Sequence, residues 1–217
     1  IAFIIKIFIP AIYKGYSPIL FAIITAIFSS LITIYFTVGM NKKFVIALLG
    51  VTGGVLIAGI LSYIFTYRMR LNGFLDSDLL SCAYLLRKIK IKELIPAGVI
   101  IGSLGAVMDV AVSITSSINE LHEANPNISK KSMFKSAINI GNDIIGTMIN
   151  TLILAYIASS IFTLLLIYIQ ANEYPLIRIL NFQDIAVEIM RSICGSIGIL
   201  IAVPLTAYIG TLIYKKK

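Results

Sequence analysis

Charged side chains are scarce in this chain of 217 residues, of which only 13% are Asp, Glu, Lys or Arg. An average soluble domain carries about 25%. Hydrophobic residues make up 59% of the chain, and the mean hydropathy is +0.97. A water-soluble core could not absorb this much apolar surface. The composition therefore excludes an ordinary soluble domain and predicts an all-α integral membrane protein.

Cysteine and histidine are rarer still, with two and one residues. Cys82 and Cys194 lie far apart without neighbouring ligand residues, so neither a disulfide framework nor a metal knuckle is indicated. His122 is the only histidine and falls in a polar turn, where a solvated side chain is favoured over a ligand or a proton relay. We expect no cofactor and no enzymatic activity, while the sequence leaves open whether a metal binds.

The positive charges exceed the negative ones, with 18 Lys and Arg against 10 Asp and Glu. Basic residues cluster in the short stretches between apolar runs, as in proteins that orient in a bilayer and contact anionic lipid. No basic run is interleaved with aromatic residues. The expected partner is therefore the lipid bilayer and not a nucleic acid.

Five apolar runs reach the roughly 20 residues that a helix needs to cross about 30 Å of hydrocarbon. They predict a single membrane domain over 1–217, a polytopic helical bundle with spans at 18–38, 44–67, 94–118, 144–169 and 192–214. The apolar segment 1–11 is too short to cross and reads as the end of a truncated N-terminal span. Helical spacing over 76–90 predicts a short interfacial amphipathic helix. Ser129 is placed to cap a helix that leads into the fourth span.

A polar stripe runs along the third predicted span. Asp109 lies about 15 residues into it, near the middle of the bilayer, where a charge costs roughly 2.5–3.5 kcal/mol. Steps of three and four residues place small and then polar side chains on its face: Gly98, Gly102, Ala106, Asp109, Ser113, Ser116 and Glu120. This face should meet protein, water or a cation instead of lipid.

The fourth span and the segment before it repeat the pattern. Its polar residues are Ser136, Asn139, Asp143, Thr147 and Asn150, with Asn142 and Thr151 beside them. Oxygen-rich sets of this kind suit a hard cation or a proton. The structural alternative is that they bond to one another or pair with Arg191, which would make Arg191 an ion-pair partner that holds the bundle together.

Small residues recur at four-residue spacing in the second and third spans and at three-residue spacing in the last, patterns that let helices approach closely. The helix-packing positions predicted in this way are Gly50, Gly54, Gly98, Gly102, Ala106, Gly195 and Gly198. Pro204 follows the last of them and predicts a kink, because proline removes an internal hydrogen bond.

Three stretches resemble the signature blocks of the YibE/F-like bacterial membrane proteins: "GSLGAVMDVAVSITSSINELHEANPNIS", "SAINIGNDIIGTMINTLILAYIASS" and "EIMRSICGSIGILIAVPLTAYI". The resemblance implies a multi-pass protein of a bacterial plasma membrane and names no substrate. One departure is Asn142, where the family pattern suggests a basic residue before Asp143.

The leading functional hypothesis is a transporter or channel for a small ion or solute, with Asp109 as the central group of an intramembrane path. Asp143, Thr147, Asn150, Asn139, Ser113 and Glu120 would complete that path. A second hypothesis is a non-catalytic subunit or sensor whose polar faces pack against a partner or another copy, giving a homo-oligomer. An intramembrane aspartyl protease, in which the two carboxylates share a proton, is a third and weaker one.

Overall fold

The computed structural model describes residues 3–71, 89–170 and 175–214, and this part of the chain is helical almost throughout, with no strand. A π-helical turn at Ile4–Phe8 leads into the short helix α1. The helices are α1 (Ile9–Tyr13), α2 (Pro18–Val38), α3 (Lys42–Arg68), α4 (Ile91–Ala124), α5 (Lys130–Ser159), α6 (Ile161–Gln170), α7 (Leu176–Leu180) and α8 (Gln183–Tyr214). Five of these, α2, α3, α4, α5 and α8, are long and apolar enough to cross a membrane. The predicted all-α, multi-span bundle is confirmed.

Local sequence explains where the long helices begin. The Asn41 side chain accepts a hydrogen bond from the Phe44 amide and caps α3, after Gly39 has ended α2 with a φ of 75°. The Ser129 hydroxyl accepts from the Ser132 amide at the start of α5, as predicted. These tight connections make α2 and α3, and then α4 and α5, antiparallel neighbours.

The fourth span differs from the predicted 144–169. Its helix α5 covers Lys130–Ser159, and the chain turns at Ser160 before α6 begins. The Ser159 hydroxyl donates to the Tyr156 carbonyl at 2.8 Å, where it competes with the helical backbone for an acceptor. The apolar run continues across this turn, so hydropathy does not mark it. Asp143 consequently lies near the middle of the spanning helix and not ahead of it.

Helices α3, α4 and α8 form the centre of the bundle. Here α3 packs against both α4 and α8, α2 covers one side of this trio, and α5 lies against α4 and α8 on another. The Ser17 hydroxyl at the start of α2 donates to the Glu93 carboxylate near the start of α4. The predicted amphipathic helix at 76–90 falls almost entirely outside the described residues.

Helix α5 is the most weakly enclosed of the five spans. Only 17% of its membrane-spanning window is buried within the chain, against 56% for α4. One side of α5 packs through Met133, Ala137, Gly141 and Leu152, and the opposite side is open.

Candidate functional site

The polar stripe of α4 lies partly on the outside of the bundle. Asp109 sits near the middle of this 34-residue helix and is exposed, as are Gly105 and Gly102 one and two turns before it. Ser113 and Ser116 are half-buried, and Glu120 is exposed. Within the described part of the chain, Asp109 has no hydrogen bond and no ion pair.

The polar residues of α5 are exposed as well. They are Asn139, Asn142, Asp143, Thr147, Asn150 and Thr151, with Ser136 half-buried. Thr151 donates to the Thr147 carbonyl at 2.9 Å, so its hydroxyl is satisfied within the helix. The carboxylate of Asp143 makes no ion pair with any residue that the structure describes.

The two stripes occupy adjoining helices at similar depth. A Cβ atom added at Gly141 would lie 3.3 Å from Cδ1 of Ile114, and one added at Gly102 would lie 2.9 Å from the Tyr156 hydroxyl oxygen. These two contacts fix the antiparallel register of α4 and α5. With a rise of 1.5 Å per residue, Asp109 and Asp143 then lie within about one helical turn of each other along the bundle axis.

We call the exposed and half-buried polar side chains of these two adjoining helices the polar face: Asp109, Ser113, Ser116 and Glu120 of α4, and Asn139, Asn142, Asp143, Thr147 and Asn150 of α5. Two exposed glycines lie within it, Gly105 on α4 and Gly146 on α5. A Cβ atom added at either would meet no other atom within 4 Å. The face therefore has room for another helix or for solvent.

The glycines predicted for helix packing fall into two groups. Gly50, Gly54, Gly195 and Gly198 are buried where α3, α4, α5 and α8 meet, and Ala106 is half-buried against the core. Gly98 and Gly102 face polar side chains instead. A Cβ atom at Gly98 would lie 3.5 Å from the Arg191 guanidinium, an ordinary contact distance, whereas one at Gly102 would lie 2.9 Å from the Tyr156 hydroxyl oxygen. Of the two, Gly102 is the glycine that makes room for its neighbour.

Arg191 pairs with Glu188 on its own helix, at 2.8 Å between Nη1 and Oε1. The sequence predicted Arg191 as a partner for the intramembrane carboxylates, whereas the structure pairs it with Glu188 of its own helix. The spacing of three residues between Glu188 and Arg191 could have indicated the pair. No sequence pattern indicated a role for Tyr156, because the glycines that face its hydroxyl, Gly102 on α4 and Gly195 on α8, are distant from it in the sequence.

A second polar cluster lies where the last turn of α8 packs against the final turns of α4. The Tyr214 hydroxyl donates to Asn119 Oδ1, and Asn119 Nδ2 donates to Glu123 Oε1, both at 2.6 Å. The His122 ring lies 5.1 Å from the Tyr214 ring, and the Lys42 ammonium lies 5.6 Å from the same ring. Across residues 3–71, 89–170 and 175–214, no three His, Cys, Asp or Glu side chains group closely enough to hold a metal ion.

Five spanning helices, with a polar surface at mid-depth, define a multi-pass helical membrane protein. The chain belongs to the YibE/F-like protein family, whose sequence profile matches residues 1–216. Comparison with curated proteins and with solved structures gives no match. The resemblance carried by the three sequence blocks is thereby confirmed.

Proposed function

We propose that this protein transports a small ion or solute across a bacterial plasma membrane, along a path lined by the polar face and completed by a second copy of the chain. Asp109 is the central group of the path. The observation that carries the proposal is the exposure of this carboxylate near the middle of a spanning helix, with no partner within the described residues.

The free-energy cost of exposing the polar face to lipid supports the proposal. A charged side chain at the centre of a bilayer costs roughly 2.5–3.5 kcal/mol even on the lower of the available scales. Asp143 lies at nearly the same depth, and exposed amides such as Asn139 and Asn150 add further cost. Such a surface is stable only when protein or water covers it.

The residue types on the polar face favour a second copy of the chain as the protein that packs over it. Amide side chains donate and accept hydrogen bonds, so a face rich in Asn and Thr can pair with the same face of another chain around a twofold axis. Gly105 and Gly146 leave space for close helix approach on this side. The shallow burial of α5 within its own chain fits a helix that completes its packing in an oligomer.

The chemistry of the face suits a cation or a proton. Carboxylate, amide and hydroxyl oxygens can replace the hydration shell of a hard cation, and a carboxylate can carry a proton. The same face contains no cysteine or histidine, and we assign it no enzymatic role. An aspartyl protease dyad requires two carboxylates that share one proton, and among the described residues no hydrogen bond between Asp109 and Asp143 supports one.

Flux measurements in liposomes test this proposal. The full chain is reconstituted in lipid vesicles, and efflux of K⁺, Na⁺ and H⁺ is followed with selective dyes. We expect flux of at least one ion, which Asp109→Asn reduces by at least about tenfold because the amide has the same shape without the charge. Glu93→Gln is the matched control, since it removes one carboxylate in the first turn of α4, about 24 Å along the helix from Asp109.

Two results would count against the proposal. Flux that is unchanged by Asp109→Asn would remove this residue from the path. A protein that forms stable oligomers through the polar face and conducts none of the three ions would favour the alternative of a non-catalytic subunit or sensor. The open space at Gly105 and Gly146 is compatible with that alternative, because it serves packing as well as transport.

A further inference from the structure

Two cavities follow one stripe of α3 where this helix packs against α2 and α4. The first, of about 250 Å³, lies between the last turns of α3 and the first turn of α4. The second, of about 300 Å³, lies deeper in the span, where α2, α3 and α4 meet. Tyr63 lines both of them. None of the polar-face residues lines either cavity, so the pair is a feature separate from the proposed path.

The first cavity, which we call the outer cavity, carries positive charge at the membrane boundary. Lys90 and Lys92 line it from α4, and both are exposed; Tyr63, Thr66 and Tyr67 line it from α3. The two tyrosines are exposed, with their ring centroids 5.3 Å apart. Tyrosine side chains near span ends lie at headgroup level, because the ring is apolar and the hydroxyl is polar. The outer cavity therefore presents ammonium and hydroxyl groups where lipid headgroups lie.

Glu93 also lines the outer cavity, where its carboxylate already has two partners. The Ser17 hydroxyl donates to Oε2, and the Lys90 ammonium lies 3.7 Å from Oε1. This carboxylate offsets one of the two positive charges. Lys92 makes no ion pair with any residue that the structure describes. A net positive charge thus remains for an anionic ligand.

The second cavity, which we call the inner cavity, is apolar. Its walls come from three helices: Ile19 and Ile23 of α2, Leu56, Gly59, Ile60 and Tyr63 of α3, and Ile100 of α4. Ile60 is 58% exposed, so the inner cavity opens towards lipid. From Tyr67 to Leu56 the stripe of α3 is about 16 Å long, at 1.5 Å per residue. This is about the depth of one leaflet of a roughly 30 Å hydrocarbon core.

We propose that the two cavities bind one anionic phospholipid, with its phosphate held by Lys90 and Lys92 and one acyl chain lying along the inner cavity. Phosphate oxygens accept hydrogen bonds from ammonium groups and from the Tyr67 hydroxyl. The glycerol backbone lies at Tyr63, between the two cavities, and the chain packs along Ile60. A free phosphate would leave the inner cavity empty, and a zwitterionic headgroup would bring its own ammonium group towards the same lysines. An anionic lipid is the occupant that matches both cavities.

The test uses the purified, delipidated full chain in dodecyl maltoside micelles at neutral pH, into which dioleoylphosphatidylglycerol is titrated. A ligand that binds the folded state raises the thermal unfolding midpoint in a saturable way. We expect phosphatidylglycerol to do so. Dioleoylphosphatidylcholine, which has the same chains, and inorganic phosphate, which has none, should give no saturable shift at the same concentrations.

Paired lysine variants separate this site from the general attraction of a chain with net charge +8 for anionic lipid. Lys90→Gln combined with Lys92→Gln should raise the phosphatidylglycerol concentration for half of the response roughly 10- to 30-fold, because each lysine near an anionic headgroup strengthens binding about fivefold. The matched control combines Lys131→Gln with Lys135→Gln. These lysines are exposed at the start of α5, towards the other end of the bundle, and their loss removes the same charge with little effect on the response.

Ile60→Trp tests the inner cavity without changing the lysines. The larger ring fills the cavity from an exposed position, so it should abolish most of the saturable response. The control is Ile64→Trp on the same helix, which is 48% exposed at a position that lines neither cavity and should leave the response unchanged. This pair decides the matter if the lysine variants prove unstable.

Three results would overturn the proposal. The first is no response of the unmodified chain to phosphatidylglycerol, or an equal response to phosphatidylcholine. The second is a loss in the variant of Lys131 and Lys135 as large as in the variant of Lys90 and Lys92, which would indicate general charge attraction. The third is a lysine-dependent response to inorganic phosphate that Ile60→Trp leaves unchanged, since the occupant of the outer cavity would then be a free phosphate and not a lipid.

Discussion

Gly54 and Gly198 meet backbone to backbone where α3 crosses α8. A Cβ atom added at Gly54 would lie 2.9 Å from the Gly198 carbonyl oxygen, and one added at Gly198 would lie 3.1 Å from the Gly54 carbonyl oxygen. Backbone atoms cannot move aside as the end of a flexible side chain can. This crossing therefore sets the distance between the two central helices of the bundle.

Gly198→Ala is expected to destabilise the protein by about 1–3 kcal/mol, because the added methyl forces α3 and α8 apart and loosens the packing around them. The measurement is the unfolding equilibrium in mixed micelles under increasing denaturing detergent. Gly105→Ala is the matched control. It adds the same methyl on α4, where no atom lies within 4 Å, and should leave the unfolding midpoint of the single chain unchanged or slightly raised. Equal midpoints for Gly198→Ala and the unmodified protein would contradict the role of this crossing.

The positions of the helices could be predicted well because hydrophobic length is the signal that a bilayer imposes. The run 18–38 matches α2 residue for residue, and the cap at Ser129 matches the start of α5. The end of α5 could not be predicted, since the turn at Ser160 interrupts an apolar run without a proline or a glycine.

The direction in which the polar stripes face was harder to predict. Helical spacing shows that Asp109 and Ser113 share a face, but spans have apolar residues on both their buried and their lipid-facing sides. Periodicity therefore does not mark the bundle interior as it does in a soluble protein. The exposure of Asp109 and the position of Gly102 opposite Tyr156 depend on how helices distant in sequence pack together.

A second copy across the polar face can be detected by disulfide trapping. In a background where Cys82 and Cys194 are replaced by Ser and Ala, Gly146→Cys places a thiol on the exposed side of α5. We expect rapid formation of a covalent dimer in membranes under mild oxidation, because the proposed twofold contact brings two copies of this position together. The control is Phe36→Cys on α2, which is 81% exposed on a helix that carries none of the polar face. Equal trapping at both positions would indicate random collision and would speak against the interface.

Gly102 and Tyr156 should behave as a coupled pair. Gly102→Ala brings a methyl carbon to 2.9 Å from the Tyr156 hydroxyl and should cost about 1 kcal/mol, because the tyrosine must shift in a crowded site beside Gly195. Tyr156→Phe removes a buried hydroxyl that has no described partner, so alone it should be close to neutral. In the double variant most of the cost should disappear, and a double-mutant cycle on unfolding free energies measures this coupling. Strictly additive effects would show that the two residues do not press on each other.

The hydrogen bond between Tyr214 and Asn119 ties the last turn of α8 to α4. Asn119 is only 8% exposed, so Tyr214→Phe leaves its Oδ1 atom without this donor at a buried position. The expected loss is about 1–3 kcal/mol of unfolding free energy, and hydrogen exchange should become faster in the final turns of α8 before it does so elsewhere. Tyr208→Phe on the same helix is the control, since that side chain is 57% exposed and should be replaceable at little cost. If exchange at the end of α8 were the same in Tyr214→Phe and Tyr208→Phe, the contact with Asn119 would not be what holds this helix end in place.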